Sequence, residues 1–415
     1  MRGMPVKQKS FISLRNALVL FPVLYLTLTG FAAFKLYYND RVQLQSNRER
    51  DKLKPESSSV VNPFLIPKNV KNNQPNFSLP IVEIWGKAAI GIYLWKHILG
   101  GEVTESGNSW YSYGSLSMGN MSFVFRSGPG VVPSTVPRNV QYLILVINGR
   151  SESKINAAKI WLESLSSYGL LKKVILVVLG NEKCDNLWLL PYMKSRGGKA
   201  NAAFLVYDST LIDNQEFFQW PLGVATYRGF PNLQEDEVDI HSSRPYLCNF
   251  LGTVYRNSSR ETLLEVVKTN NLEDECFILG RQKWSPLETK FTLQRYISAL
   301  HKSDLTLNPV GENTECYRLY ESLSLGSTPV VEDVVTPGNC DHNLNVAPLR
   351  LLKDHGAPLI YIKNWSDLPG LLSEERQLTL DEKVQRRVTT ILWYKHFKNT
   401  MKDFLIGVVS KVFFG

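Results

Sequence analysis

The chain has 415 residues, 44% of them hydrophobic and 20% charged, which excludes a disordered polyelectrolyte and allows two domains of ordinary size. Its formal charge of +9 would suit a nucleic-acid binder, but residues 1–54 hold ten Lys and Arg against three acidic residues. With that +7 set aside the body carries only +2, which leaves no nucleic-acid footprint on it.

The first element in chain order is Ala17–Phe34, "ALVLFPVLYLTLTGFAAF", 18 residues without a charge between Arg15 and Lys35. That length suits a membrane span, and Pro22 is tolerable there. We expect a cytosolic tail over 1–16 and a transmembrane signal anchor over 17–36. A cleavable signal peptide is the alternative, since "GFAA" offers small residues, although the apolar run is longer than a usual signal core. Lys and Arg flank both ends, so charge leaves the orientation open. The sequons at Asn76, Asn120, Asn257 and Asn364 all follow the span, which favours a luminal body and a type II arrangement. Residues 37–80 are polar and scattered with Pro and Asn, the composition of a flexible stem.

Short apolar runs then alternate with amphipathic stretches. "YLILVIN" (142–148), "VILVVLGN" (174–181) and "AAFLVYDS" (202–209) read as buried parallel strands, with a helix over "INAAKIWLESLSSYG" (155–169). The pattern restarts after "QEDEVD" (234–239). "YLCNFLGTVY", "ECFILG", "LTLNPVG", "TPVVED" and "PLIYIKN" read as strands, with helices at 259–270, 287–304 and around "CYRLYESLSLG". The fold class is therefore α/β, with two doubly wound, Rossmann-like domains facing a cleft at 81–240 and 241–379, and a C-terminal helix over 380–412. One large open sheet is the alternative. The five Cys show no zinc spacing, and their odd number leaves at least one thiol outside a disulfide. Cys248, inside an apolar run, reads as a buried free thiol.

The stretch 303–333, "SDLTLNPVGENTECYRLYESLSLGSTPVVED", carries the chemistry. Gly311 ends a strand and a helix is expected to open near Thr314, where free N–H groups and the helix dipole make a diphosphate site. Arg318 and Glu321, three apart, share a helix face. The first can neutralise phosphate and the second can accept from ribose hydroxyls. Gly326 permits a tight turn, and Glu332 and Asp333 close the next strand at its ligand end. A surface Arg–Glu pair and a solvated acidic turn would give the same spacing.

This stretch resembles the exostosin-type glycosyltransferase signature: Pro309-Val310-Gly311, then Arg318-Leu319-Tyr320-Glu321-Ser322, then Gly326-Ser327-Thr328-Pro329-Val330-Val331. "RPYLCNFLGTVYRNSSR" (244–260) matches the family's upstream element. "IWGKAAIGIYLW" (84–95), "FQWPLGVATYRGFP" (218–231) and "IKNWSDLP" (362–369) are similar to the xylosyltransferases of the α-dystroglycan O-mannosyl glycan pathway. The likeness runs from about residue 80 to 400. It implies a GT-B-type enzyme of the Golgi membrane with its body in the lumen, using UDP-xylose as donor and ribitol 5-phosphate on the α-dystroglycan glycan as acceptor, alongside other transferases of the pathway. It also implies that Gly311, Arg318 and Glu321 bind the nucleotide, with Gly326 shaping the pocket. Val310 stands where such sequences often have Arg.

No Asp-x-Asp ends a strand, and the six His show no ligand spacing, so no metal or other cofactor is expected. Inversion at the sugar needs a base, for which Asp208 at a strand end is the candidate, though an Asp before Ser209 also suits a cap. Arg228, Arg256 and Arg260 are candidates for the acceptor phosphate. Trp85 and Trp220 suit either sugar stacking or the core. Another UDP-sugar donor, or a non-catalytic luminal scaffold, are the rival functions. An intact Arg318/Glu321 pair argues against the scaffold.

Overall fold

The computed structural model describes residues 79–105, 110–336, 338–340 and 348–415. The expected tail, anchor, nearly all of the stem, and Asn76 lie outside the described residues. Among those described, no helix is long and apolar enough to cross a membrane.

The apolar runs pair as parallel strands in two sheets. The first has eight strands in the order β2-β3-β4-β1-β5-β6-β7-β8. At its centre β1 (Ile81–Gly86) lies parallel to both β4 (Met121–Ser127) and β5 (Tyr142–Asn148). β6 (Lys173–Leu179), β7 (Ala200–Val206) and β8 (Phe217–Trp220) continue outward, all parallel. Such strands are covered on both faces, which is why they read as unbroken Val/Ile/Leu runs. The far edge is antiparallel: β3 (Ser112–Met118) turns through Gly119-Asn120 into β4, and β2 (Thr104–Glu105) pairs with β3. Helix α1 (Glu152–Ser164) lies between β5 and β6 in the chain. Trp85 and Trp220 are fully buried, and Trp85 packs against Trp161 and Tyr168, so both tryptophans belong to the core.

The second sheet is wholly parallel, with the order β10-β9-β11-β12-β13. Its strands are β9 (Tyr246–Thr253), β10 (Cys276–Arg281), β11 (Ser303–Asn308), β12 (Thr328–Glu332) and β13 (Ile360–Ile362). Helices α2 (Ser259–Thr269), α3 (Lys290–His301) and α4 (Tyr317–Ser324) connect them in turn. α5 (Arg350–Asp354) precedes β13, and α6 (Leu368–Gln377) follows it. Two sheets form rather than the single open one, and both belong to one compact unit.

The last helix, α7 (Leu380–Phe414), opens on a capping box between Thr379 and Glu382. It packs on both halves. Arg387 donates to Asp304 (2.7 Å) in the second half and to the Ile240 and Ser242 carbonyls between the sheets. Further on, Phe404 meets Phe204 and Phe218 edge-on, and Tyr142 meets Phe413 and Phe414.

Two disulfides form and Cys316 is free. Cys248 is not the expected free thiol. The β9/β10 register sets it opposite Cys276, and the two are bonded within the sheet. Cys184–Cys340 instead ties the loop after β6 to the segment after β12.

Candidate active site

In the second sheet the chain leaves β9 toward one side and β11 toward the other, so the carboxyl ends of these adjacent strands form a switch point, where open α/β sheets bind ligands. Two guanidiniums converge there. Arg318, in the first turn of α4, donates Nη2 to the Leu251 carbonyl (2.8 Å) and lies over the Phe250 ring (4.9 Å). Arg260, in the first turn of α2, donates to the Thr253 carbonyl (2.7 Å). Glycine makes room for both: a Cβ on Gly252 would sit 2.8 Å from Arg318 Nη2, and one on Gly311 only 2.6 Å from Arg260 Nη2. The Arg318 Nε and Nη1 and the Arg260 Nε are buried with no hydrogen-bond partner among the described residues. Burial, then the charge of Arg318, lowers the pKa of Arg260. Paired cations with unused donors are an arrangement completed by an anion.

α4 begins at Tyr317, not near Thr314. The Asn313 side chain accepts the Glu315 N–H (2.8 Å) and turns the chain out of helical geometry. Thr314 is locked instead to the segment after β12: its N–H donates to Thr336 (3.2 Å) and its hydroxyl to the Val334 carbonyl (3.2 Å). Cys316 is the N-cap and makes no side-chain cap bond.

The structure sorts the remaining predicted residues. Glu321 is buried beside Arg318, but both its oxygens are engaged, by the Ala225 N–H (3.0 Å) and the Tyr296 hydroxyl. Burial pushes its pKa up against those bonds and the nearby Arg318. Glu332 accepts from the Val310 N–H (3.2 Å) and from Ser259, which in turn accepts from Trp365 (2.8 Å). It therefore pins the Pro-Val-Gly turn to the start of α2. Asp333 points elsewhere, to Lys353 (2.7 Å). Gly326 lies at the other end of β12 from the switch point, against Ile391 and Arg387 of α7. Asp208 is buried, with Arg350 and the Ser209 N–H on its carboxylate. Arg228 pairs with Glu288 (3.5 Å) and donates to the Ser285 carbonyl (3.0 Å). Arg256 is exposed beside the site, and Arg260 lies with Arg318 rather than apart from it. Asn120, Asn257 and Asn364 are exposed. Among the described residues no three metal-ligating side chains converge.

The first sheet brings in residues the sequence reading passed over. Arg150 follows β5 and pairs with Glu182, which follows β6. Burial works against the charge of Arg150, yet Tyr207, Glu182, Tyr317 and Tyr227 around it hold its pKa above the ordinary value. Tyr317 opens α4, so this cluster reaches across the seam between the halves. The buried Tyr317 hydroxyl has no partner among the described residues, and its ring meets Tyr227 edge-on (5.7 Å). Tyr207, just after β7, sits at φ 71°, a strained conformation for a bulky residue. The signal available was position alone, since both Arg150 and Glu182 come just after a buried parallel strand.

Cross-links hold the seam. Asn313 donates to the Glu182 carbonyl (2.7 Å), the Asn339 N–H to the Lys183 carbonyl (2.8 Å), and the Leu222 N–H to Glu315 (2.9 Å). Burial pushes the Glu315 carboxyl up to about 7, its bonds from Tyr320 and Leu222 only partly offsetting this. It borders a cavity with room for about one water, lined also by Asp208, Gln219, Asn313 and Thr336.

A guanidinium pair with unused donors at a switch point gives this α/β chain a candidate site for an anionic ligand. The RXYLT1 N-terminal domain family matches residues 82–221, and the RXYLT1 C-terminal domain family matches residues 227–414. The chain is 48% identical over 337 residues to the Danio rerio protein named ribitol-5-phosphate xylosyltransferase 1, covering 80% of this chain and 77% of that one. It is 46% identical over 339 residues to the Homo sapiens protein of the same name, covering 80% and 76%. This chain belongs to the RXYLT1 family. A solved futalosine hydrolase mutant of Helicobacter pylori aligns at 10% identity over 80% of this chain and all of that one, but its TM-score of 0.17 carries no argument.

Proposed function

We propose that this chain is a GT-B-type transferase that moves xylose from UDP-xylose to ribitol 5-phosphate, the reaction for which its relatives are named. The observation that carries the reading is the Arg260/Arg318 pair, with its unused buried donors at the β9/β11 switch point. The UDP diphosphate sits on these guanidiniums and on the uncapped start of α4, beside the Gly311 turn. As the bond from the sugar to UDP breaks, negative charge grows on the phosphate, and fixed donors already aimed at it stabilise that change without reorganising. Glu321 lies one turn further along α4, at the ribose position. Its two existing hydrogen bonds leave lone pairs for a ribose hydroxyl. The acceptor enters from the first half, on the O-mannosyl glycan of α-dystroglycan. We read residues 17–36 as the anchor that holds this body in the Golgi lumen.

The site is tested by titrating UDP into the full-length protein in a calorimeter. Arg260→Met/Arg318→Met keeps the aliphatic packing and removes both cations. Loss of two charge-assisted contacts worth roughly 1.5–3 kcal/mol each predicts at least a hundredfold weaker binding. A double variant that binds UDP as tightly as wild type places the nucleotide elsewhere.

A further inference from the structure

We propose that Glu182 is the general base that deprotonates the acceptor hydroxyl. The inference rests on the xylosyl-transfer reading above. When an α-linked donor gives a β-linked product, the acceptor oxygen attacks the face of the sugar opposite the leaving UDP. The base must therefore stand across the site from the groups that bind the diphosphate, and within reach of solvent to shed its proton.

Glu182 meets both conditions. It comes from the first half, at the carboxyl end of β6, while Arg260 and Arg318 belong to the second. Its side chain is 31% exposed, whereas that of Asp208 is 7% exposed and closed off by Arg350. Its charge reaches Arg260 across the seam. The unpartnered Tyr317 hydroxyl adds a buried polar group to the same space, and Arg150 orients the carboxylate.

The backbone at Glu182 is also tied across the seam. Asn313 holds its carbonyl, Asn339 holds the next one, and Cys184, two residues on, is covalently linked to Cys340. A general base needs placement to within a fraction of an ångström, and this set of ties supplies it. In the step itself the acceptor O–H proton passes to a Glu182 carboxylate oxygen and the acceptor oxygen bonds to the xylose C1. The bond from C1 to the β-phosphate oxygen breaks, and its electron pair leaves on UDP. Glu182 then returns the proton to solvent.

Glu182→Gln in the full-length protein keeps the size and the polar contact with Arg150 but removes the base. We expect kcat to fall roughly 10²–10⁴-fold, with the KM for UDP-xylose and the affinity for UDP held within threefold. Glu182→Ala should regain UDP release with added azide, a nucleophile that needs no deprotonation. A Gln variant with more than a third of wild-type kcat, or one that loses UDP binding together with turnover, overturns the assignment. So does an Ala variant that azide leaves unchanged. Absence of xylose transfer by the wild-type protein would overturn the functional reading, and this inference with it.

Discussion

The Cys184–Cys340 bridge is the most informative part of the seam to break. It joins residues 156 apart across the two halves, while Cys248–Cys276 joins residues 28 apart within one sheet. The chain-entropy relation assigns about 5 kcal/mol to the longer loop and about 3.5 kcal/mol to the shorter. On stability alone the two differ by a modest margin. On activity they should separate sharply. Losing the outer bridge frees the 181–184 loop that presents Glu182, and a shift of about 1 Å in such a group can cost on the order of a hundredfold in rate. Losing the inner one loosens two strands already paired by backbone hydrogen bonds. The assay is urea unfolding and UDP release for Cys184→Ser/Cys340→Ser and for Cys248→Ser/Cys276→Ser, at a temperature where both remain folded. We expect both to be destabilised and only the first to lose at least tenfold in kcat. Equal loss of kcat in the two, or full activity in the first, would refute the claim that the outer bridge positions the chemistry.

Glu315 gives a pH signature. Burial raises its pKa from 4.5 to about 7, so the folded state keeps a proton that the unfolded chain releases, and its contribution to stability is full below pH 4.5 and lost as pH rises through 7. Glu315→Gln should therefore gain on the order of 3 kcal/mol relative to wild type between pH 4.5 and 8. The comparison must be between variant and wild type, because His97, held near 3 by burial and then by Lys398 and Lys96, pushes the raw profile the other way. A constant difference across that range would mean that Glu315 is ionised in the fold. Xylose transfer should survive dialysis into excess EDTA, because Arg260 and Arg318 carry the charge of the leaving group. Abolition with rescue by manganese would assign that task to an ion.

Much of this was legible in the sequence, because buried parallel strands must be apolar on both faces. The runs at 142–148, 174–181 and 202–209 each fall on a strand, as do "YLCNFLG" and "TPVV". Arg318 and Gly311 could be singled out because the Pro-Val-Gly turn and the Arg-Leu-Tyr-Glu-Ser helix match the exostosin-type signature, whereas their spacing alone suits a surface Arg–Glu pair equally well. What stayed hidden depended on contacts distant in sequence. The hairpin at 112–127 pairs strands that alternate too weakly to stand out, although Gly119-Asn120 marks its turn. The Cys248–Cys276 bond follows from strand register, and the Arg150–Glu182 pair from two strands lying side by side. The start of α4 was misplaced because one side-chain bond, from the Glu315 N–H to Asn313, competes with the first helical turn.

The central claim is tested most directly by the donor and acceptor dependence of the full-length protein. UDP release is measured with UDP-xylose, UDP-glucuronate and UDP-N-acetylglucosamine, each with and without a ribitol 5-phosphate acceptor, and the product is weighed by mass spectrometry. We predict release with UDP-xylose that depends on the acceptor, and a product heavier by one xylose. Faster acceptor-dependent release from either other donor, or no acceptor-dependent release from any of the three, would contradict the account.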